Sequence, residues 1–375
     1  MVARLFSFRP LLLAALAFGL AACDSGSGTE PPPDTFDRSE LLADVASEII
    51  VPSYEALQQS VDALDAAADA FAADPTAANL AAAQDALRTA RLAWQDASLF
   101  QFGPAESVAL RTSLNTYPVD VEQVETNVAT GDYILGSVDN RDAVGLPTLG
   151  YLLHGVGDTE DEILAAYADA PDAADRITYL QDNVDFVAEA VDATVEAWSP
   201  GGGDYLGMFL SEANAGVDVG SSLGMMINAF ILHYERFIRD GKIGIPAGVR
   251  SAGVPRPTST EAYYGGYSAE LTAASLRAVQ RLFRGDALSG TAGTGLDDYL
   301  QALDAQPLAA QIVTELDEAI AAVDALEDPL AEQIERDVDP VLAAFQELQD
   351  VIVLLKADMT SILGVTITFQ DNDGD

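Results

Sequence analysis

Apolar residues recur at spacings of three and four over most of this chain, and the two-residue alternation of a half-buried strand is almost absent. Over residues 38–72 the stretch RSELLADVASEIIVPSYEALQQSVDALDAAADAFA keeps the helical period. Pro52 marks a break or kink there, because proline brings no N–H to the helical ladder. Asp74-Pro75-Thr76 then turns the chain into AANLAAAQDALRTARLAWQDASLFQF, which Gly103-Pro104 ends. The same pattern predicts helices over 119–130, 159–169, 172–198, 216–240, 268–285, 295–303, 306–326 and 329–357, and their alanine and leucine content favours them. Gly- and Pro-rich breaks fall at 199–204 and 241–257, and VTITF at 365–369 is the one strand candidate. No repeat at solenoid period is visible. The predicted class is all-α, built as two antiparallel helical-bundle domains over 37–200 and 201–375, each long enough to bury its own core.

The first residues read as an address and not as part of that fold. Arg4 and Arg9 give a positive start, followed by LLLAALAFGLAA, an apolar run too short to span a bilayer comfortably. The run ends in Leu20-Ala21-Ala22-Cys23, which resembles a bacterial lipobox. Residues 1–22 are therefore expected to be a lipoprotein signal peptide. Cys23, the sole cysteine, is the expected lipidated residue, and 23–36 form a flexible tether. With Cys23 used this way, no disulfide or thiol chemistry remains. The expected location is the bacterial cell envelope, at the outer membrane, facing either the periplasm or the surface, with the membrane itself as a partner through the anchor.

Charge narrows the function classes further. Eighteen Lys and Arg stand against 60 Asp and Glu, a formal net charge of −42. Nucleic acid is excluded as a partner, since neutralising phosphates requires clusters of Lys and Arg. Only Lys242 and Lys356 are lysines. Acid excess with so little lysine is what a surface adapted to high salt would show, because screening removes the self-repulsion.

Few residues carry candidate chemistry. Met226, Phe230, His233 and Phe237 fall on one helical stripe, which makes His233 a core histidine. Asn228, Glu235, Arg239 and Lys242 form a polar row on the other face. That row reads as a solvated face, with Asn228, Glu235 and Lys242 kept as pocket candidates. Gly220-Ser221-Ser222-Leu223-Gly224 matches G-x-S-x-G, but no strand precedes it to form a nucleophile elbow, so it reads as a close-packed helix start. DNDGD at the C-terminus imitates a calcium loop with a misplaced glycine and no closing Glu, and reads as a solvated tail. Trp94 and Phe100 share helical spacing with Leu87 and Arg91, which reads as core packing.

Seven separated segments, taken in order, resemble the imelysin-like family of bacterial envelope lipoproteins: IIVPSYEAL, ARLAWQDASLFQFGPAE, TYPVD, VGLPTLGYLLHG, FIRDGKIGIPAG, YYGGYSAELTAASLRAVQRLF and LGVTITFQDNDGD. Together they reach across about residues 40–375. The resemblance implies two helical bundles with a pocket at their junction. The segments would bring Trp94, Gly103, Pro104, Tyr117 and Asp120 to that pocket, and Gly145, Pro147, Gly150 and His154 with them. It also implies an exported protein linked to iron, with iron or another divalent metal as the possible cofactor and iron-uptake or other envelope proteins as partners. The family's G-x-H-x-x-E motif would supply a metal pair, an imidazole nitrogen and a carboxylate. Here Pro147 stands at the His position and Gly150 at the Glu position, so neither offers a ligand. His154, near Asp158, Glu160, Asp161 and Glu162, remains a weak metal candidate. Its place at a helix end suits a cap better.

The reading is a non-catalytic binding or accessory lipoprotein in iron or metal acquisition. The alternative is a metal-dependent peptidase with its metal site relocated near His154, which would need three protein ligands and an open position. A surface scaffold would show no small-molecule pocket.

Overall fold

In the computed structural model the structure describes residues 36–369, which belong to a compact unit running from Thr35. The expected signal peptide, the lipidated Cys23, most of the tether and the DNDGD tail lie outside the described residues.

Helix α1 (Arg38–Val45) starts where Asp37 caps it, accepting hydrogen bonds from the amides of Ser39 and Glu40. Its path continues through one wide π-type turn, Ala46–Ile50, into α2 (Val51–Ala73). The wide turn sits just ahead of Pro52, the residue that removes a rung from the ladder, so the proline marks a local widening and not an end. Asp74 closes α2, and Thr76 caps α3 (Ala77–Ala97) through the Asn79 amide. The link is short enough that α2 and α3 lie antiparallel and pack along their lengths. After α4 (Val121–Thr130), α5 (Gly145–His154) and α6 (Glu160–Ala168), the long α7 (Ala173–Trp198) returns along α2.

The second group comprises α8 (Ser222–Leu232), α9 (Ser268–Arg284), α10 (Gln306–Asp324) and α11 (Asp339–Val353). Helix α10 packs on α9 and α11, while a π-helical stretch, His233–Gly244, continues α8 and packs on α9 and α11. The two groups meet chiefly where α9 lies against α3. One apolar cluster threads both, from Leu41 through Leu180 to Leu355.

Among the described residues there is no strand, and no helix is long and apolar enough to cross a membrane. The strand candidate at 365–369 is instead an extended segment held by one side chain. Asn228 donates from Nδ2 to the Thr366 carbonyl (3.0 Å) and accepts the Thr368 amide at Oδ1 (2.8 Å). The amide group supplies the donor and acceptor that a neighbouring strand would have offered. This also fixes the role of Asn228, which clasps the chain's end and lines none of the cavities described below.

Candidate functional site

Every residue of α5 from Gly145 to Leu153 is buried. A helix this apolar belongs inside a protein. Its entry depends on Gly145, which has a φ of +83°, and a Cβ there would come within 2.6 Å of the Ser113 and Leu114 carbonyls. Pro147 follows in the first turn, where its missing N–H costs nothing. Gly150, one turn on, faces α3. A Cβ at Gly150 would lie 2.8 Å from Nη2 of Arg91.

Arg91 sits in the apolar stripe of α3, between Leu87 and Trp94, and is only 2 % exposed. Its guanidinium donates from Nη2 to the Leu146 carbonyl (2.6 Å) and from Nη1 to the Glu261 carbonyl (3.0 Å). It therefore pins both α5 and the 257–267 segment to α3. One turn along α3, Gln95 Oε1 accepts from Lys242 Nζ (2.8 Å) and from Ser275 Oγ of α9 (2.7 Å). Lys242 pairs with Glu261, whose Oε1 also accepts from Asn115 (2.8 Å) and Gln95 (3.2 Å). Burial on its own would raise the Glu261 carboxyl, but the Lys242 charge and hydrogen bond outweigh it and hold the group below the usual carboxylate range. Burial pulls Lys242 down, and Glu261 opposes that pull. The pair is a buried, mutually dependent ion pair.

A cavity of about 300 Å³ opens onto this network, lined by Arg91, Glu261, Tyr117, Pro147, Gly150 and the Tyr263–Tyr264 pair among others. Tyr117 and Pro118 also wall a second, larger cleft of about 490 Å³, lined by Arg111, Arg236, Arg256, Phe237 and Ile245. A third space of about 20 Å³, room for little more than one water, lies between Trp94, Lys242, His233 and Tyr117. Tyr117 is common to all three.

Arg111 differs from Arg91 in what surrounds it. Its Nη2 donates to the Ser98 carbonyl (2.9 Å), its Nη1 is buried without a partner, and its guanidinium carbon lies 3.6 Å from the centre of the Phe237 ring. Burial pulls it down to about 9, still cationic at neutral pH, with Tyr117 and Tyr54 as the opposing influences and no carboxylate among them.

Several residues read from the sequence lie elsewhere. Gly103 (φ +54°) lies under the Tyr205 ring, and Pro104, itself buried, opens a short helix. Asp120 is the cap of α4, accepting from the Gln123 amide. The polar row on the helix after α8 is not a solvated face. Glu235, Arg239 and Lys242 are 1 %, 0 % and 3 % exposed, because the π-helical stretch rotates them inward. Glu235 pairs with Lys356 (2.6 Å), so both lysines of the chain answer buried glutamates. His233 is in the core, as its stripe predicted, with Nε2 3.2 Å from Ser98 Oγ, but its Nδ1 has no partner. Ser222 of the G-x-S-x-G match is buried and donates to the Phe209 carbonyl (2.7 Å), while Ser221 caps α8, so the stretch is a packed helix start.

His154 is the last residue of α5. Burial, then the Arg91 charge, pull its imidazole down to about 4, which leaves it neutral at physiological pH, so the favourable cap of a charged imidazole on the helix dipole is missing. Its Nε2 is buried without a partner. Among the described residues, the group of three acidic, His or Cys side chains close enough to share a metal is Glu315, Glu318 and Glu347, on α10 and α11, and His154 is not in it. Arg91, Gln95, Glu261, Arg111 and Asn115 did not stand out in the sequence as pocket residues. The signal available for Arg91 was a charge placed on an apolar stripe.

The fold and seam thus define an all-helical protein with a polar pocket where two helix groups meet. The imelysin family model matches residues 50–357, and the chain belongs to the imelysin family. It is 29% identical over 120 residues to iron-regulated protein A of Synechococcus elongatus, a match spanning 32% of this chain and 34% of that protein. A protein from Parabacteroides distasonis described as an iron-regulated protein A precursor shares the fold with a TM-score of 0.71 at 20% identity, over 90% of this chain and 97% of that one. An imelysin-like protein from Psychrobacter arcticum does so with a TM-score of 0.67 at 19% identity, over 88% and 97%.

Proposed function

We propose that this imelysin-family protein is a non-catalytic binding component of the bacterial envelope, lipid-anchored through Cys23 and serving iron or metal acquisition. The observation that carries the reading is the Arg91 guanidinium lodged against Gly150. Where the family motif would place an acid, this chain has a glycine whose space a buried cation fills, and Pro147 replaces the imidazole. A bare divalent metal finds no donor at either position and a positive charge beside them, so the residues do not fit the metal that the motif implies. What the pocket offers a ligand is Arg91, the Tyr263–Tyr264 pair and Thr258 and Thr260. That lining suits a ligand held by hydrogen bonds and aromatic contact. The link to iron rests on the relatives, one of which is called iron-regulated protein A. The anchor rests on Leu20-Ala21-Ala22-Cys23 after a positive, apolar start.

The test is titration of protein purified without chelators with zinc and iron, alongside a peptide-hydrolysis assay. Neither stoichiometric metal binding by residues 145–154 nor hydrolysis is expected. Stoichiometric binding lost in His154→Ala, with peptide cleavage, would replace this reading with a metallopeptidase. Cys23→Ala should release the protein from membranes or leave it unprocessed, since stable anchoring needs more than one acyl chain.

A further inference from the structure

The protein has 18 basic residues in 375 and a net charge of −42, yet three arginines line one cleft. Arg111 is at its inner end, with Nη1 buried and unpartnered. Arg256 lies at the exposed edge of the same cleft. Between them the wall is apolar. Phe237 and Ile245 are each 36% exposed, and Phe237 presents its ring directly to Arg111. A guanidinium desolvated without a carboxylate loses hydration that one carbonyl and an aromatic face only partly replace, so the fold keeps Arg111 there at a cost in stability. The other deeply buried cations, Lys242, Arg239 and Arg176, all have acidic partners, and Arg91 has two backbone carbonyls, with its Nε left without a partner. Arg111 has one carbonyl and an aromatic face.

We infer that the cleft between Arg111 and Arg256 binds an organic anion with an apolar body, its carboxylate or comparable acid group on the guanidiniums and its body against Phe237 and Ile245. The charge pattern selects the sign of the ligand, because guanidiniums attract an acid group and repel a cation. The apolar wall selects against small inorganic anions, which gain nothing from it. A cavity of about 490 Å³ lies within the range of small-molecule sites. The inference does not rest on the Arg91 pocket, and a metal found there would leave it standing, because Arg256 and Phe237 do not line that pocket.

The experiment is calorimetric titration of the purified protein at pH 7.5 with two probes of similar shape, 1-naphthoate and 1-naphthylmethylammonium, and with inorganic phosphate as the body-less anion. 1-Naphthoate is expected to bind at least tenfold more tightly than either of the others. Arg256→Gln, which removes an exposed side chain and should leave the melting curve unchanged, is expected to weaken naphthoate at least fivefold without weakening the ammonium probe. Phe237→Ala should weaken naphthoate similarly, and Arg111→Gln more. Three results would each overturn the inference: no naphthoate binding at millimolar concentration, naphthoate and the ammonium probe within twofold of each other, or naphthoate binding that Arg256→Gln leaves unchanged.

Discussion

Tyr117 separates two cavities that use positive charge in opposite ways. On the Arg91 side, Lys242 is matched by Glu261, Gln95 is shared between α3 and α9, and Arg91 is spent on two backbone carbonyls that hold α5 and the 257–267 segment in place. On the Arg111 side, one guanidinium lies on an aromatic ring with a buried N–H left over. A buried cation matched by a carboxylate stabilises the fold. A cation desolvated without a carboxylate weakens the fold and leaves that place to the acid group of a ligand. The comparison therefore teaches where to look for structural charges and where for binding charges. It can be broken by asking each group what its removal does to stability.

The largest effect is expected at the matched pair. Lys242→Met leaves Glu261 charged and unpaired in the core and should lower the unfolding free energy in urea by about 3–5 kcal/mol. A loss under about 1 kcal/mol would mean that the pair is not a mutually dependent one. Next comes acid sensitivity. His154 is held near 4 in the folded state by burial and Arg91, against an ordinary 6.5, so the unfolded chain binds more protons between those values. Stability contributed by neutral His154 is thus complete above pH 6.5 and is lost as pH falls toward 4. His233, also pushed down by burial, acts in the same direction. His154→Gln should reduce the fall in stability between pH 7 and pH 4 by about 1–2 kcal/mol, allowing for the partial exposure of the ring. An unchanged pH profile of the melting temperature would contradict the burial argument.

Gly150→Ala should cost about 1 kcal/mol, because the clash with Arg91 outweighs the helix propensity that alanine adds. In an Arg91→Met background the same substitution should become neutral or stabilising, and a double-mutant cycle reads the difference directly. Additive effects would show that Arg91 does not occupy the space at Gly150. The smallest effect belongs to the other cavity. Arg256→Gln should change stability by less than about 0.5 kcal/mol, the usual range for a surface substitution, while still weakening the anionic probe.

Much of the fold was legible in the chain because long amphipathic helices announce themselves by period. Helices α7, α9 and α10 fall within two residues of where the spacing put them. The pocket was less legible, for reasons specific to its residues. The polar row of Glu235, Arg239 and Lys242 was expected in solvent since it opposed the apolar stripe at 3.6 residues per turn. The π-helical stretch changes that period, and the row turns inward. Glu261 lies in a turn with no periodicity to locate it, and only the fold brings it to Lys242. The VTITF segment has the composition of a strand but lacks a partner, and the Asn228 side chain takes that place. Pro147, Gly150 and Tyr117 line the cavity of about 300 Å³, and the first two are motif positions, which stay visible in the sequence even when their chemistry does not.

Carboxylates far outnumber the arginines and lysines of this chain, and this bears on the kinetics of ligand entry. An anion approaching from bulk meets the field of a body with a net charge of −42 before it meets Arg256 or Arg111. At about 0.15 M salt that field reaches some 8 Å, and at 1 M only about 3 Å. Encounter with the cleft should therefore quicken as salt is added, whereas the short-range contact with the guanidiniums, once formed, is weakened far less. Stopped-flow association of 1-naphthoate at rising sodium chloride reads this directly. For this protein, brine would open the door.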